Sequence, residues 1–415
     1  MSWETVGGVF KVSLDPLFTT ALASILFVVG VLLRRHISFL TRFCIPAAVI
    51  GGLIMALASL AMHHHGGASI TFATALQTPM MLAFFTTVGI GGSLSLLKRG
   101  GWALLVYLAA CWALAAFQNS FGAILAKVLG IHPVLGVMAG AVSLEGGHGA
   151  AAAFGPTAEG LGVKGAQAVA IASATYGLIA GGLLGGPVAG WLINRNKLEL
   201  AASQDEIYKE KRDAAQVLSD SFDLFRMLTL VLVFMALGSV VSNWVNSQAK
   251  NVWEWATFSL PGYVGAMFAA VVFRNLNDVV KLVKIHAKAV DMIADVSIGI
   301  FLTMAMMSLR IWDLYDLAVP LIVILLLQTV VIALIAVFIL FPLLGRDYDA
   351  AVICSGFLGH GLGATPNAVS NMNAVCARCG VVSYKAFLIV PLCGAVLIDL
   401  VGIPNIVWFI NYLTR

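Results

Sequence analysis

The sequence predicts an all-α polytopic membrane protein, with about ten transmembrane helices in two inverted-topology repeats that each carry a re-entrant hairpin. Three observations predict it: a composition too apolar for water, ten runs long enough to cross a bilayer, and two Gly-rich stretches too polar to do so. Of the 415 residues, 60% are hydrophobic and 11% charged, and the mean hydropathy is +0.96. A soluble domain is about half apolar and about a quarter charged, so this chain cannot cover itself with polar surface. Secreted disulfide scaffolds, disordered regulators and nucleic-acid binders are excluded. The net charge of +4 implies no polyanionic partner.

A spanning helix needs about 20 mostly apolar residues. Runs near 17–33, 43–62, 79–97, 102–128, 165–193, 225–245, 258–273, 293–309, 317–344 and 384–411 qualify. The start contains Glu4, Lys11 and Asp15, too acidic for a signal peptide. The run that ends at Arg34-Arg35 has no small-residue cleavage site, so it reads as a retained span. Stretches 134–155 and 350–371 hold Glu145, His148, His360, Asn367 and Asn371 among many glycines. They read as re-entrant hairpins, because non-helical backbone at membrane depth is tolerated only beside protein or a water-filled cavity. With the amino terminus outside and each hairpin returning to its own side, 18 of the 24 Lys and Arg residues fall inside. That asymmetry is the one expected of cytoplasmic loops, and it puts both termini outside.

The polar stretch 195–223 reads as a cytoplasmic linker between residues 1–194 and 224–415, each half having five spans and one hairpin. An odd number of spans inverts the second half, as in many secondary transporters. Gly147-His148-Gly149 is echoed by Gly359-His360-Gly361, Gln118-Asn119 by Gln328-Thr329, and Phe85-Thr86-Thr87 by Phe301-Leu302-Thr303, in the same order. The first echo gives His148 and His360 equivalent positions, where each braces its hairpin through backbone hydrogen bonds or shuttles protons. Segment 274–288, with Lys281, Lys284 and Lys288 at helical spacing, is either an amphipathic stretch at the inner surface or a solvated loop.

Glycine lets a ligand or another backbone come close, whereas Gly51-Gly52, Gly181-Gly182 and Gly185-Gly186 read as helix-packing positions. Polar groups at membrane depth are costly and mark a pathway or site. Thr365, Asn367, Ser370 and Asn371, on a short helix after Pro366, offer oxygens suited to a hard cation or an amino acid. Asp399, inside the last span, neutralises a bound Na⁺, pairs with an ammonium or is structural. Gln118, Asn119, Gln328 and Thr329 read as helix–helix contacts or ligand contacts. Cys44, Cys111 and Cys393 read as buried hydrophobes. Cys376 and Cys379 lack the second pair a zinc site needs. His63-His64-His65 reads as a solvated loop. No HExxH, GxSxG or P-loop motif occurs, so neither an enzyme nor an ATP-driven pump is expected. A channel could use similar loops but would need a continuous pore.

The longer motifs are Ile45-Pro46 with Gly51-Gly52, Met81-Leu82-Ala83-Phe84-Phe85, Gln118-Asn119, Gly146-Gly147-His148-Gly149, Gly185-Gly186-Pro187-Val188-Ala189, Tyr348-Asp349-Ala350-Ala351-Val352 and Gly361-Leu362-Gly363-Ala364-Thr365-Pro366. On these residues the chain resembles the bacterial sodium/glutamate symporter family over nearly its whole length. The resemblance implies an elevator-type homodimer in the inner membrane that takes up glutamate with Na⁺ as coupling ion and needs no other cofactor. The expected substrate site is Glu145, Gly146, Gly147, His148, Gly149, Gly361, Gly363, Ala364, Thr365, Asn367 and Asn371. The expected sodium ligands are Thr87, Thr175, Thr303, Ser370 and Asp399. The chain departs from the family pattern at Glu145, where a small hydroxyl residue is usual, at Ala151, and at Ala47-Ala48. An unpaired carboxylate at Glu145 would repel a dicarboxylate, so a different amino acid or carboxylate, or proton coupling, stays open.

Overall fold

A computed structural model describes residues 2–6, 9–42, 45–66, 68–93, 97–199, 221–252 and 260–414. Cys44 and residues 200–220 of the expected linker lie outside the described residues. The amino terminus departs from the all-α expectation. Strands β1 (Ser2–Val6) and β2 (Val9–Leu14) pair antiparallel, and β3 (Ala68–Phe72) adds parallel to β2. The alternation Phe10, Val12, Leu14 against Lys11 and Ser13 suits a half-buried strand. Helix α1 (Pro16–His36) follows at once. Asp15 caps it by accepting from the Leu17 and Phe18 N–H groups at 3.0 Å, and Pro16 takes the first helical position.

After α1 come α2 (Ala47–His65), α3 (Gln77–Gly91), α4 (Leu97–Val128), α5 (Pro133–Val142), α6 (Gly147–Gly160) and α7 (Ala166–Asn196). The second half contributes α8 (Ser221–Val252), α9 (Gly262–Val280), α10 (Ala287–Met307) and α11 (Ala318–Ile335, prolonged through a wider turn to Leu343). It closes with α12 (Tyr348–Leu362), α13 (Thr365–Cys379), α14 (Tyr384–Leu392) and α15 (Asp399–Leu413). Among the described residues, seven helical stretches are long and apolar enough to cross a membrane: α1, α2, α4, α7, α8, α10 and residues 311–343. The expected spans 79–97, 258–273 and 384–411 contribute the helices Gln77–Gly91, Gly262–Val280, Tyr384–Leu392 and Asp399–Leu413, which fall outside that set. Helix α3 has only 15 residues, α9 ends in Arg274, Asn275, Asn277 and Asp278, and a wider turn at Cys393–Leu397 splits the last run. His63-His64-His65 forms the last turn of α2 rather than a loop, and His63 stacks on Trp312.

Packing sorts the helices into two groups, each drawing on both halves of the chain. In the first, α1–α3 meet α8–α10. Ala83 and Ile90 join Met227, Val231, Ala270 and Ile293 in one apolar cluster, and Ala23 and Leu26 join Met304 and Met307 in another. The second group, α4–α7 with α11–α15, supplies most of the main core, which runs on into the first group through Val49, Ile50, Phe85, Met267, Phe301 and Leu302. Phe154 meets Tyr263 edge-on across the groups, with ring centroids 5.5 Å apart, and Gln167 Nε2 donates to Ala305 O at 3.0 Å.

Two hairpins lie in the second group. Helix α13 folds back along α12, so that Asn371 Nδ2 reaches Ser355 O at 3.3 Å. The open end is tied by Tyr348 OH donating to Val381 O and Ser383 Oγ donating to Asp349 Oδ1, both at 2.6 Å. Helix α5 runs back along α4, with Ala141 N–H donating to Asn119 Oδ1 at 3.0 Å, and α6 runs against the start of α7, with His148 Nε2 3.0 Å from Thr175 Oγ1. Helix α4 begins beside α12 (Tyr107 at Phe357) and reaches the α12–α13 tip at Gln118, and α7 passes that tip at Leu178 and continues to Gly190, which lies under Arg378. The open ends of the two hairpins therefore face opposite ends of the bundle.

Close approach sets the glycine requirement on α7. A Cβ on Gly177 would fall onto the Leu362 carbonyl oxygen, whereas one on Gly186 would meet nothing within 4 Å. Replacing Gly177 with Val should cost at least about 3 kcal/mol and abolish a monodisperse size-exclusion peak. Gly186→Ala should leave peak and melting temperature as in the parent.

Candidate functional site

The hairpin tips meet in the middle of the second group. Gly147 opens α6 at φ +62, and a Cβ there would stand 3.2 Å from Gly363 O and 3.8 Å from Ala364 Cβ. A side chain at that position is opposed both by the left-handed backbone and by the facing tip. Both helices that leave the tips, α6 and α13, begin here, so two amino-terminal ends with free N–H groups converge on one region. The helices that arrive, α5 and α12, end here, where Ala141 O accepts from Gly146 N–H at 2.9 Å and Gly359 O from Ala364 N–H at 3.0 Å. Amino ends favour anions and carbonyl ends favour cations.

Side chains hold the interrupted backbone. On α4, Gln118 Nε2 donates to Gly361 O at 2.8 Å, while the next residue, Asn119, holds Ala141 of the other hairpin and donates to Asn405 Oδ1 at 2.8 Å. Two adjacent residues thus grip both tips. Gln328 Nε2 on α11 donates to Gln118 O at 2.8 Å. On α13, Asn367 Nδ2 donates to Leu178 O at 2.7 Å, Asn371 Nδ2 to Gly181 O at 2.9 Å, and Thr365 Oγ1 to Gly394 O at 3.0 Å.

Four oxygens in this region are buried without a hydrogen-bond partner: Gln118 Oε1, Glu145 Oε1, Gln328 Oε1 and Asn367 Oδ1. All four are acceptors. A buried acceptor left unpaired is costly, and a cation or a donor group would satisfy it. Glu145 and Asp399 lie within electrostatic reach of each other, and neither has an ion-pair partner among the described residues.

The expected residues sort unevenly. Glu145, Gly146, Gly147, His148 and Gly149 lie at one tip; Gly361, Gly363, Ala364, Thr365, Asn367 and, one turn deeper, Asn371 lie at the other. Thr175 Oγ1 donates to Ile171 O and so accepts from His148. Thr87 and Thr303 belong to the first group and donate to Phe84 O at 2.6 Å and Gly299 O at 2.7 Å on their own helices. Ser370 is exposed.

The histidine equivalence does not hold in space. His148 follows the break of its hairpin, on α6, whereas His360 precedes the break of its own, on α12. Each is braced by a hydroxyl instead of backbone, His360 Nδ1 lying 3.3 Å from Tyr107 OH. The word Gly-His-Gly repeats, but the break falls at different places relative to it. Tyr107 and Asn405 escaped the sequence reading. A hydroxyl and an amide inside apolar runs were the available signal, and Tyr is too common in such runs to stand out.

Broken helices meeting inside an apolar helical bundle define a multi-pass membrane protein with a polar centre. Residues 12–381 match the family model described as sodium/glutamate symporter. The chain is 39% identical to the sodium/glutamate symporter of Haemophilus influenzae, over 92% of this chain and 94% of that one. It is 36% identical to those of Escherichia coli and Shigella flexneri, over 94% and 96%. The chain belongs to the sodium/glutamate symporter family.

If Asn119 grips both the tip and α15, Asn119→Ala and Asn405→Ala should each lower the unfolding free energy by about 1–3 kcal/mol. Their double mutant should fall short of the sum by about 1 kcal/mol, read by thermal denaturation in detergent. Strict additivity would contradict the contact.

Proposed function

We propose that this chain is a secondary active transporter that carries glutamate, or a closely related amino acid, into the cell with Na⁺. The observation that carries the reading is the meeting of two interrupted hairpins, where paired helix amino ends face buried, unpartnered oxygens. The substrate carboxylate is bound by the N–H groups that open α6 and α13. Na⁺ is held by carbonyls at the ends of α5 and α12 and by Asp399, with Thr175 near by. Family membership and the names of the relatives supply the ion and the substrate. A potential of 100 mV contributes about 2.3 kcal/mol per net charge moved, so more than one Na⁺ per anion makes uptake electrogenic.

The two halves are read as inverted repeats of five crossings and one re-entrant hairpin each, in the inner membrane, with both termini outside. The crosswise grouping of helices supports an elevator: α1–α3 and α8–α10 form the fixed scaffold of a homodimer, and α4–α7 with α11–α15 form the moving part. A boundary made chiefly of apolar side chains, with few directional bonds across it, suits sliding.

In proteoliposomes, an imposed inward Na⁺ gradient should drive glutamate accumulation that collapses when the gradient is dissipated. Uptake indifferent to Na⁺ would overturn the coupling. Glu145→Ser should change the Na⁺ dependence while leaving the order of preference among glutamate, aspartate and glutamine intact. A paired Phe154→Cys/Tyr263→Cys variant, bridged by a bifunctional methanethiosulfonate cross-linker long enough to span the ring pair, should lose most uptake and regain it on reduction. Full activity of the cross-linked protein would exclude movement at that boundary.

A further inference from the structure

The connection between α9 and α10 is built in a way that transport chemistry at the hairpin tips leaves unused. The regular lysine spacing there suggests a helix, but α9 stops at Val280 and Lys281 turns left-handed, at φ 58. The turn is fixed from several directions. Lys281 N–H donates to Asn277 O at 2.7 Å. The buried Asn277 side chain clasps Val283 at both ends, its Nδ2 donating to Val283 O and its Oδ1 accepting from Val283 N, each at 2.8 Å. His286 lies 3.3 Å from Asp223 of α8. A left-handed residue commonly closes a helix, usually a glycine; here it is a lysine, and the Asn277 clasp fixes the loop that follows.

The turn encloses a groove of about 550 Å³ lined by Arg274, Asp278, Lys281, Val283 and Lys284. Arg274 is answered by Asp278 at 3.0 Å. Among the described residues, neither Lys281 nor Lys284 has an ion-pair partner. Beside them Leu276, Val279, Val280 and Leu282 are 58–81% exposed. In water such a row of aliphatic side chains would be a liability. At a bilayer boundary it lies among acyl chains, while the flanking ammonium groups stand at the level of the phosphates.

We propose that this groove binds the phosphate headgroup of an anionic glycerophospholipid of the inner leaflet, with Lys281 and Lys284 supplying the charge and the exposed aliphatic row seating the chains. The fixed turn holds the two ammonium groups over one groove before the lipid arrives. The proposal requires this face to lie at the inner membrane surface, as in the topology above, and makes no use of the substrate.

The test is native mass spectrometry of the purified full chain, titrated with phosphatidylglycerol or with phosphatidylcholine of the same acyl composition. The parent should retain phosphatidylglycerol in preference. Lys281→Gln/Lys284→Gln should lower that preference, by about fivefold per lysine given the usual contribution of a basic residue at an anionic surface. The variant should still take up glutamate in phosphatidylcholine vesicles at the parental rate, which shows that it folds. An unchanged lipid preference in the variant would overturn the proposal. So would displacement of the lipid by millimolar inorganic phosphate, which would make the groove a site for a free anion. Because lipid retention is read without transport, its failure and a failure of the symport reading are separately visible.

Discussion

The structure rests on one constraint: backbone groups released where a helix breaks inside an apolar medium must find partners within the protein. Both hairpins break near the middle of the bundle, and side-chain amides and hydroxyls attend the breaks. Gln118 takes the carbonyl of Gly361, Asn119 the N–H of Ala141 and Thr365 the carbonyl of Gly394, while Asn367 and Asn371 tie the α12–α13 tip to carbonyls of the unbroken α7 at Leu178 and Gly181. These bonds account for why neutral amides, rather than charges, make up most of the polar content of the second group. A neutral amide costs less to bury than an ion, and it can donate to one segment while offering its oxygen elsewhere. The amide oxygens of Gln118, Gln328 and Asn367 have no such partner. The framework that secures the fold thereby leaves acceptors free at its centre.

Small residues make that arrangement physically possible. Helix α7 passes both hairpins, and its glycines let the Leu358 and Leu362 carbonyls of α12 pack against its backbone and the Asn371 amide donate to Gly181 O. Aromatic bulk is placed instead at the boundary with the first helical group, where Phe154 meets Tyr263 edge-on and Tyr263 in turn lies against Phe85. Polar bonding concentrates inside the second group, whereas contact between the groups is mainly apolar, with Gln167 donating to the Ala305 carbonyl across it.

Much of this was legible in the sequence, and the misreadings have physical causes. Composition and run length identify a multi-pass protein because hydropathy reports directly on the surrounding medium. The density of glycine around Glu145, His148 and His360 marks the interruptions, since no spanning helix carries such residues without a purpose. The positions of the breaks were not legible: Gly147-His148-Gly149 and Gly359-His360-Gly361 share letters, yet only the first begins a helix, and the second break waits for Gly363-Ala364. Tertiary packing decides between such alternatives. Lys281, Lys284 and Lys288 repeat at helical spacing, but the Asn277 clasp ends the helix among them. The amino-terminal strands were masked by their short length and by the distance to β3, some sixty residues on in sequence. Thr87 and Thr303, expected as sodium ligands, each donate to a carbonyl in the preceding turn of their own helix, which leaves the hydroxyl oxygens with lone pairs to offer.

The most direct test of the central geometry is solvent access at the tip itself. A single cysteine at Ala364, in a background with the native cysteines replaced, would be exposed to a membrane-impermeant thiol reagent in sealed vesicles. The tip-to-tip arrangement predicts that the cysteine reacts when the protein is empty and is shielded when Na⁺ and glutamate are present together. A cysteine that never reacts from either side of the membrane, or whose reaction is indifferent to both solutes, would contradict a polar centre at that position.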